Sequence, residues 1–270
     1  MSISLFQRLA LICTAALLAA CGGLPPVVPM NVDVPKYRIL VSDKKPTPEQ
    51  KGAIIDVPDS YVGVASNKRG SLGVGLLLGP LGVAANIAYV KAETQKMADT
   101  IPAMFDIDAA KILAEQAGYP MGGASGVGRE IVLTPATRFF FEDDAGTEYV
   151  AQCVLHARVM DGATETTSAV YTLRQSQKFS GQSDETKRRV ISELKLCFAD
   201  AGSLMKAHMA DGLKSAGYEL AMKDPSLGSV DVNMLLVEDW LDRRVIARFH
   251  RFMFEYAKES VTVVKKLPVN

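Results

Sequence analysis

The 270 residues include one tryptophan, three histidines and four cysteines, and neither charge sign is in excess, with 30 Lys+Arg against 30 Asp+Glu. Phosphate binding needs a concentrated surplus of Lys and Arg, so the balance argues against nucleic acid as the main partner. No two cysteines form a CxxC pair and no HExxH occurs, which removes the usual zinc signatures, and no GxSxG marks a serine nucleophile. No enzymatic activity, cofactor or metal is expected. What remains is an ordinary globular composition, 48% hydrophobic and 22% charged, long enough to bury a sizeable core in one domain or two.

The N-terminus is the most specific segment. One charge, Arg8, precedes the apolar run Leu9 to Leu17, which is too short to cross a bilayer and has the n-region and h-region order of a secretory signal. Leu18-Ala19-Ala20-Cys21 follows directly. This tetrapeptide resembles the lipobox of bacterial lipoproteins. The resemblance implies cleavage before Cys21, thioether attachment of a diacylglyceryl group to its thiol, and acylation of its freed amino group. A thiol is the common side chain nucleophilic enough for that transfer, and two or three acyl chains anchor firmly where one is marginal. Gly22 and Gly23 stand where an inner-membrane retention signal would carry Asp, so the resemblance implies the outer membrane, with the domain facing the periplasm.

Removal of residues 1–20 takes Cys13 with it, and acylation occupies Cys21, leaving Cys153 and Cys197 in an oxidising compartment. They are candidates for a disulfide or for two buried free thiols.

Seven of the 13 prolines lie between Pro25 and Pro58, so residues 21–50 read as an extended tether leading into short strands at Tyr37 to Val41, Ala53 to Val57 and Tyr61 to Ala65. Residues 51–229 read as the domain and 230–270 as a C-terminal β extension. Gly70 to Val90 carries no charge in 21 residues and has Gly75 and Gly79 at the spacing that permits close helix approach. Pro80 and the glycines would break a helix there. The segment reads either as a loop-helix buried on the domain or as a membrane-contacting, self-associating element.

A helix is predicted from the Thr100 cap through Leu113, closed by Gly118, and a longer one from Ser183 to about Gly217, with Ala-Gly-Tyr after each and the tyrosine folding back on the last turn. Between them Arg129 to Phe141, Thr147 to Met160 and Ala163 to Gln175 alternate as strands. Asp161-Gly162 predicts a type I′ hairpin that sets Arg158 opposite Glu165. Alternation turns Tyr149, Ala151, Cys153, Leu155, Ala157 and Val159 to one face. Further strands are predicted at Val230 to Val237, Arg244 to Phe254 and Val261 to Val264.

Helix, antiparallel meander, helix is the order of an α+β sandwich with two main helices on one sheet face. With the lipobox, that order over residues 95 to 220 resembles envelope lipoproteins with a TolB N-terminal-like domain, including curli-assembly lipoproteins. The resemblance implies a lipid-anchored binding or assembly accessory with an envelope protein as partner. The alternative is a self-assembling component, a homo-oligomer that uses residues 70–90 in a secretion or pore-like complex.

Other features read structurally. His208 lies on an apolar helix face, His156 on a polar strand face, and the glycines of Gly122 to Gly128 follow a helix and precede a strand, the reverse of a phosphate loop. Glu142-Asp143-Asp144 reads as an acidic turn, since the alternating oxygen ligands of a calcium loop are missing. Arg243, Arg244, Arg248 and Arg251, with His250 and Phe249, Phe252 and Phe254 between them, form a candidate patch for an anionic partner or the wet face of an edge strand.

Overall fold

The computed structural model describes residues 32–46, 54–66, 79–143, 145–211, 218–222, 234–241, 244–249, 252–257 and 261–266. Three long strands form its centre: β4 (Arg129–Phe141), β5 (Glu148–Asp161) and β6 (Thr164–Ser180), paired antiparallel in sequence order. Their apolar alternation buries Ile131, Leu133, Phe139, Phe141, Tyr149, Cys153, Leu155 and Tyr171 on one face, as the period of two requires. Three helices are described: α1 (Gly79–Ala98), α2 (Ala109–Ala117) and α3 (Asp184–Asp211). α3 contributes Val190, Leu194, Cys197, Phe198, Ala201, Leu204, Met205 and Met209 to that core, and α2 contributes Ile112 and Leu113. The fold is the expected α+β sandwich with a mostly antiparallel sheet.

β1 (Arg38–Val41) and β3 (Val62–Ser66) both lie parallel to β4, one after the other along its free edge: Arg38 registers with Glu130 and Val62 with Thr137. β2 (Ile55–Asp56) then pairs antiparallel with β3 as the outermost strand on that side. The strand expected at Tyr37 to Val41 is present as β1. Val32 donates to the Met209 carbonyl at 2.8 Å, and Leu40 and Val41 are core residues.

On the other side, β10 (Phe252–Ala257) pairs parallel with β6, and β9 (Arg244–Phe249), β8 (Met234–Leu241), β7 (Tyr218–Met222) and β11 (Val261–Lys266) follow outward. The C-terminal extension therefore continues the central sheet. Tyr218 opens β7 opposite Lys266, and the Gly217 cap expected before it lies outside the described residues.

Three local expectations are corrected. Thr100 does not cap a helix: its hydroxyl donates to the Met97 carbonyl at 2.6 Å and closes α1, a short 3₁₀ turn Pro102–Met104 follows, and α2 starts at the cap Asp108, which accepts from Lys111 N at 2.9 Å. Gly118 ends α2 in the left-handed conformation at φ 66°. Pro80 does not break a helix; it sits in the first turn of α1, where its missing donor costs nothing. In the β5–β6 hairpin only Gly162 has positive φ, the type II′ pattern, and the register slips between Val159 and Met160. Arg158 consequently faces Ser168, and Glu165 faces Met160. Thr166 Oγ1 donates to the Val159 carbonyl at 3.1 Å within the slip.

Candidate functional site

Cys153 and Cys197, both fully buried, are joined by a disulfide across 44 residues that staples α3 to the middle strand β5. Cys21 lies outside the described residues, as do Arg243, Arg251 and His250. Arg244 and Arg248 are on β9, hydrogen-bonded on both sides by β8 and β10, so this part of the arginine patch belongs to an interior strand and not to an edge.

His208 is buried on α3, with Nδ1 2.8 Å from the Tyr171 hydroxyl and the two rings edge to face. The pair ties the C-terminal half of α3 to β6, as expected of a core histidine. His156 is half-buried on β5, opposite Thr134 and Val170.

The glycine-rich loop 121–128 is held in place. Glu130, almost fully buried, accepts from Ser125 N and from Ser125 Oγ, both at 2.8 Å, and Arg38 stands 4.0 Å from the same carboxylate. The chain's own carboxylate thus takes the Ser125 amide that an anion would need. Such a tie is invisible to a reading of glycine content, because it depends on β4 bringing Glu130 beneath the loop.

In the β4–β5 turn Asp143 accepts from Thr147 N, Thr147 Oγ1 and Glu148 N, and Gly146 adopts φ 68°. Burial pushes the Asp143 carboxyl up, but the Thr147 and Glu148 hydrogen bonds outweigh it and hold the group at about 2. This is turn chemistry, as expected of the acidic run. No group of three metal-ligating side chains occurs among the described residues.

One cleft escaped the sequence reading. About 380 Å³ lies beside the Pro58-Asp59 turn, lined by Lys45, Asp56, Asp59, Ser60 and Tyr61 among others. Several of its polar groups serve the turn itself: Lys45 Nζ donates to the Asp59 carbonyl, Ser60 Oγ to the Val57 carbonyl and Tyr61 to the Asp43 carbonyl. Burial, with the Asp108 and Asp43 carboxylates, raises the Tyr61 hydroxyl above its ordinary range. Asp59 at φ 52° was the available signal, a residue type that tolerates the left-handed region in turns.

The most unusual surface is on α1. Its C-terminal half is packed: Val90, Met97 and Ala98 are buried, Thr94 Oγ1 lies 2.7 Å from Ser66 Oγ at the end of β3, and Met97 fills the space over Gly146. Ala85, Ile87, Ala88 and Tyr89 are all exposed, Ile87 at 41% and Tyr89 at 53%. The buried loop-helix expected for Gly70 to Val90 is therefore not what Ala85, Ile87, Ala88 and Tyr89 form; residues 70–78 lie outside the described ones. No helix among the described residues is long and apolar enough to cross a membrane.

No protein-family profile and no curated protein matches the chain. Among solved structures, the chain is similar at 12% identity to a Helicobacter pylori protein described as a neuraminyllactose-binding hemagglutinin homolog. The match covers 68% of this chain and 94% of that one at a TM-score of 0.24, a likeness too slight to carry an argument about fold or function.

Proposed function

We propose that the protein is a lipid-anchored lipoprotein of the bacterial outer membrane, whose periplasmic domain is a non-enzymatic binding or assembly accessory for another envelope protein. The observation that carries this reading is the Cys153–Cys197 disulfide in the core. Such bonds persist in oxidising compartments, so the bond supports the export that Leu18-Ala19-Ala20-Cys21 implies. The titratable residues His208, Glu130 and Asp143 support it too, being engaged in bonds that hold a helix, a loop and a turn.

A pull-down from crosslinked cells tests the reading, comparing the intact protein with Cys21→Ser. Partners should be recovered with the intact protein and be lost when Cys21→Ser leaves the membrane or stays as an uncleaved precursor. Normal processing and the same partners for Cys21→Ser would refute the anchored accessory.

The exposed residues Ala85, Ile87, Ala88 and Tyr89 favour a second reading, a component that inserts or self-assembles through residues 70–90. It predicts a large detergent-resistant oligomer that collapses when Gly75 and Gly79 become Leu.

A further inference from the structure

Cys197 stands in the middle of α3, 13 residues after Asp184 and 14 before Asp211. About 20 Å of helix separates it from each terminus, so fraying of either end leaves it covered. The helix is also fastened along its length. Gln182 Oε1, just before it, accepts from Ala103 N at 2.9 Å, Lys187 pairs with Asp106, His208 Nδ1 lies 2.8 Å from the Tyr171 hydroxyl, and the Met209 carbonyl accepts from Val32 N at 2.8 Å. With α3 docked, both cysteines are 0% exposed among Ala151, Leu155, Leu194 and Phe198, so no reagent can line up with either sulfur. Docking does not itself require the bond. Cys197 Sγ lies 3.6 Å from the Leu173 carbonyl, an acceptor within reach of a thiol, so a chain that docked with both thiols free would bury them at little cost. Such a chain would be trapped in the dithiol form.

We propose that the Cys153–Cys197 bond is closed before α3 docks, by a protein thiol oxidase, a partner that carries an exchangeable disulfide of its own. Thiol–disulfide exchange needs a thiolate in line with the disulfide it attacks, and that approach is open only on the undocked chain. The thiolate of one cysteine attacks the partner's disulfide, forming a mixed disulfide and releasing one partner thiolate. The thiolate of the other cysteine then attacks the first cysteine's sulfur and displaces the second partner thiolate. Two electrons pass to the partner, which leaves as a dithiol with the two protons given up by Cys153 and Cys197. Docking of α3 follows and seals the bond against reduction. The inference rests on the exported reading only for the compartment that supplies such a partner.

The test uses the full-length lipoprotein in detergent micelles, reduced in urea. Dithiodipyridine, a small disulfide that reports each thiol by absorbance, is added either in urea or after urea and reductant have been removed. The refolded dithiol should react at least about 100-fold more slowly than the chain in urea, and Leu194→Ala, which loosens the seat of α3, should narrow the gap. A reduced chain that fails to refold until it is oxidised supports the same order of events, because the bond then forms only on the undocked chain. A refolded dithiol that reacts as fast as the open chain overturns the inference. In cells, Cys153→Ala and Cys197→Ala each leave one thiol with no second cysteine to resolve a mixed disulfide. A reductant-sensitive protein adduct is expected on at least one of them, and its absence from both overturns the role of the oxidase. The thiol count in urea separates these claims from the lipid anchor. Two reactive thiols agree with a blocked Cys21; a third, at Cys21, refutes the anchor, while the two rates still decide the order of oxidation and docking.

Discussion

The sulfur atoms of Cys153 and Cys197 join the middle strand of the central sheet to the middle of its longest helix, at a point where neither residue has any exposed surface. Closing 44 residues in the unfolded chain should contribute about 4 kcal/mol in the loop-entropy account. Replacing both cysteines by alanine should lower the unfolding free energy by that order, with a lower urea midpoint and a steeper slope because the unfolded chain expands. An unchanged midpoint would mean that the packing of α3 alone supplies the stability.

The Tyr171–His208 contact should behave as a buried polar pair whose two members are energetically coupled. His208→Leu leaves the tyrosine hydroxyl buried without that partner and should cost about 1–3 kcal/mol, as should Tyr171→Phe. The double variant should lose less than the sum of the two, since both substitutions remove the same contact. Additive losses in a double-mutant cycle would show that the two groups are independent.

The Asp143 carboxyl is held at about 2 against an ordinary 3.8. With the folded value depressed, the unfolded chain binds more protons between those limits, so the contribution to stability is complete above about 4 and is lost as pH falls toward 2. Asp143→Asn should flatten the acid limb of a stability–pH profile and leave the profile near neutrality parallel to that of the parent. Because the turn is exposed, the effect should shrink in high salt.

A Cβ on Gly146 would lie 2.8 Å from Met97 Cγ, at a backbone φ of 68°. Gly146→Ala should therefore cost about 1–2 kcal/mol, from backbone strain plus displacement of Met97. It should also loosen the seat of α1, read as faster amide exchange at Thr94 to Ala98. Exchange unchanged there would separate the turn from the helix.

The central meander was legible because its signals are local. Alternation of Tyr149 to Val159 placed Cys153 inward, and the spacing of Val190, Leu194 and Cys197 placed the second cysteine on the covering helix face. The parallel seating of β1 and β3 on β4 was not legible, since such pairing joins residues 92 and 75 positions apart with no turn to announce it. The slip at Val159 escaped for a different reason: Asp161-Gly162 marks a hairpin, but the register beyond it depends on how Thr166 is accommodated. On α1, the lack of charge from Gly70 to Val90 marked an unusual surface, and only the packing of Val90, Thr94 and Met97 located where burial begins. The edge-strand alternative for the arginine patch fails at Arg244 and Arg248 because composition alone does not reveal that β8 and β10 flank β9.

The lipid anchor is the claim on which the functional account depends most, and metabolic labelling with radioactive palmitate tests it directly. The account predicts that the intact protein carries the label and fractionates with the outer membrane, and that Cys21→Ser carries none and fails to mature. A Cys21→Ser protein that is cleaved, sorted and membrane-bound like the parent would contradict it.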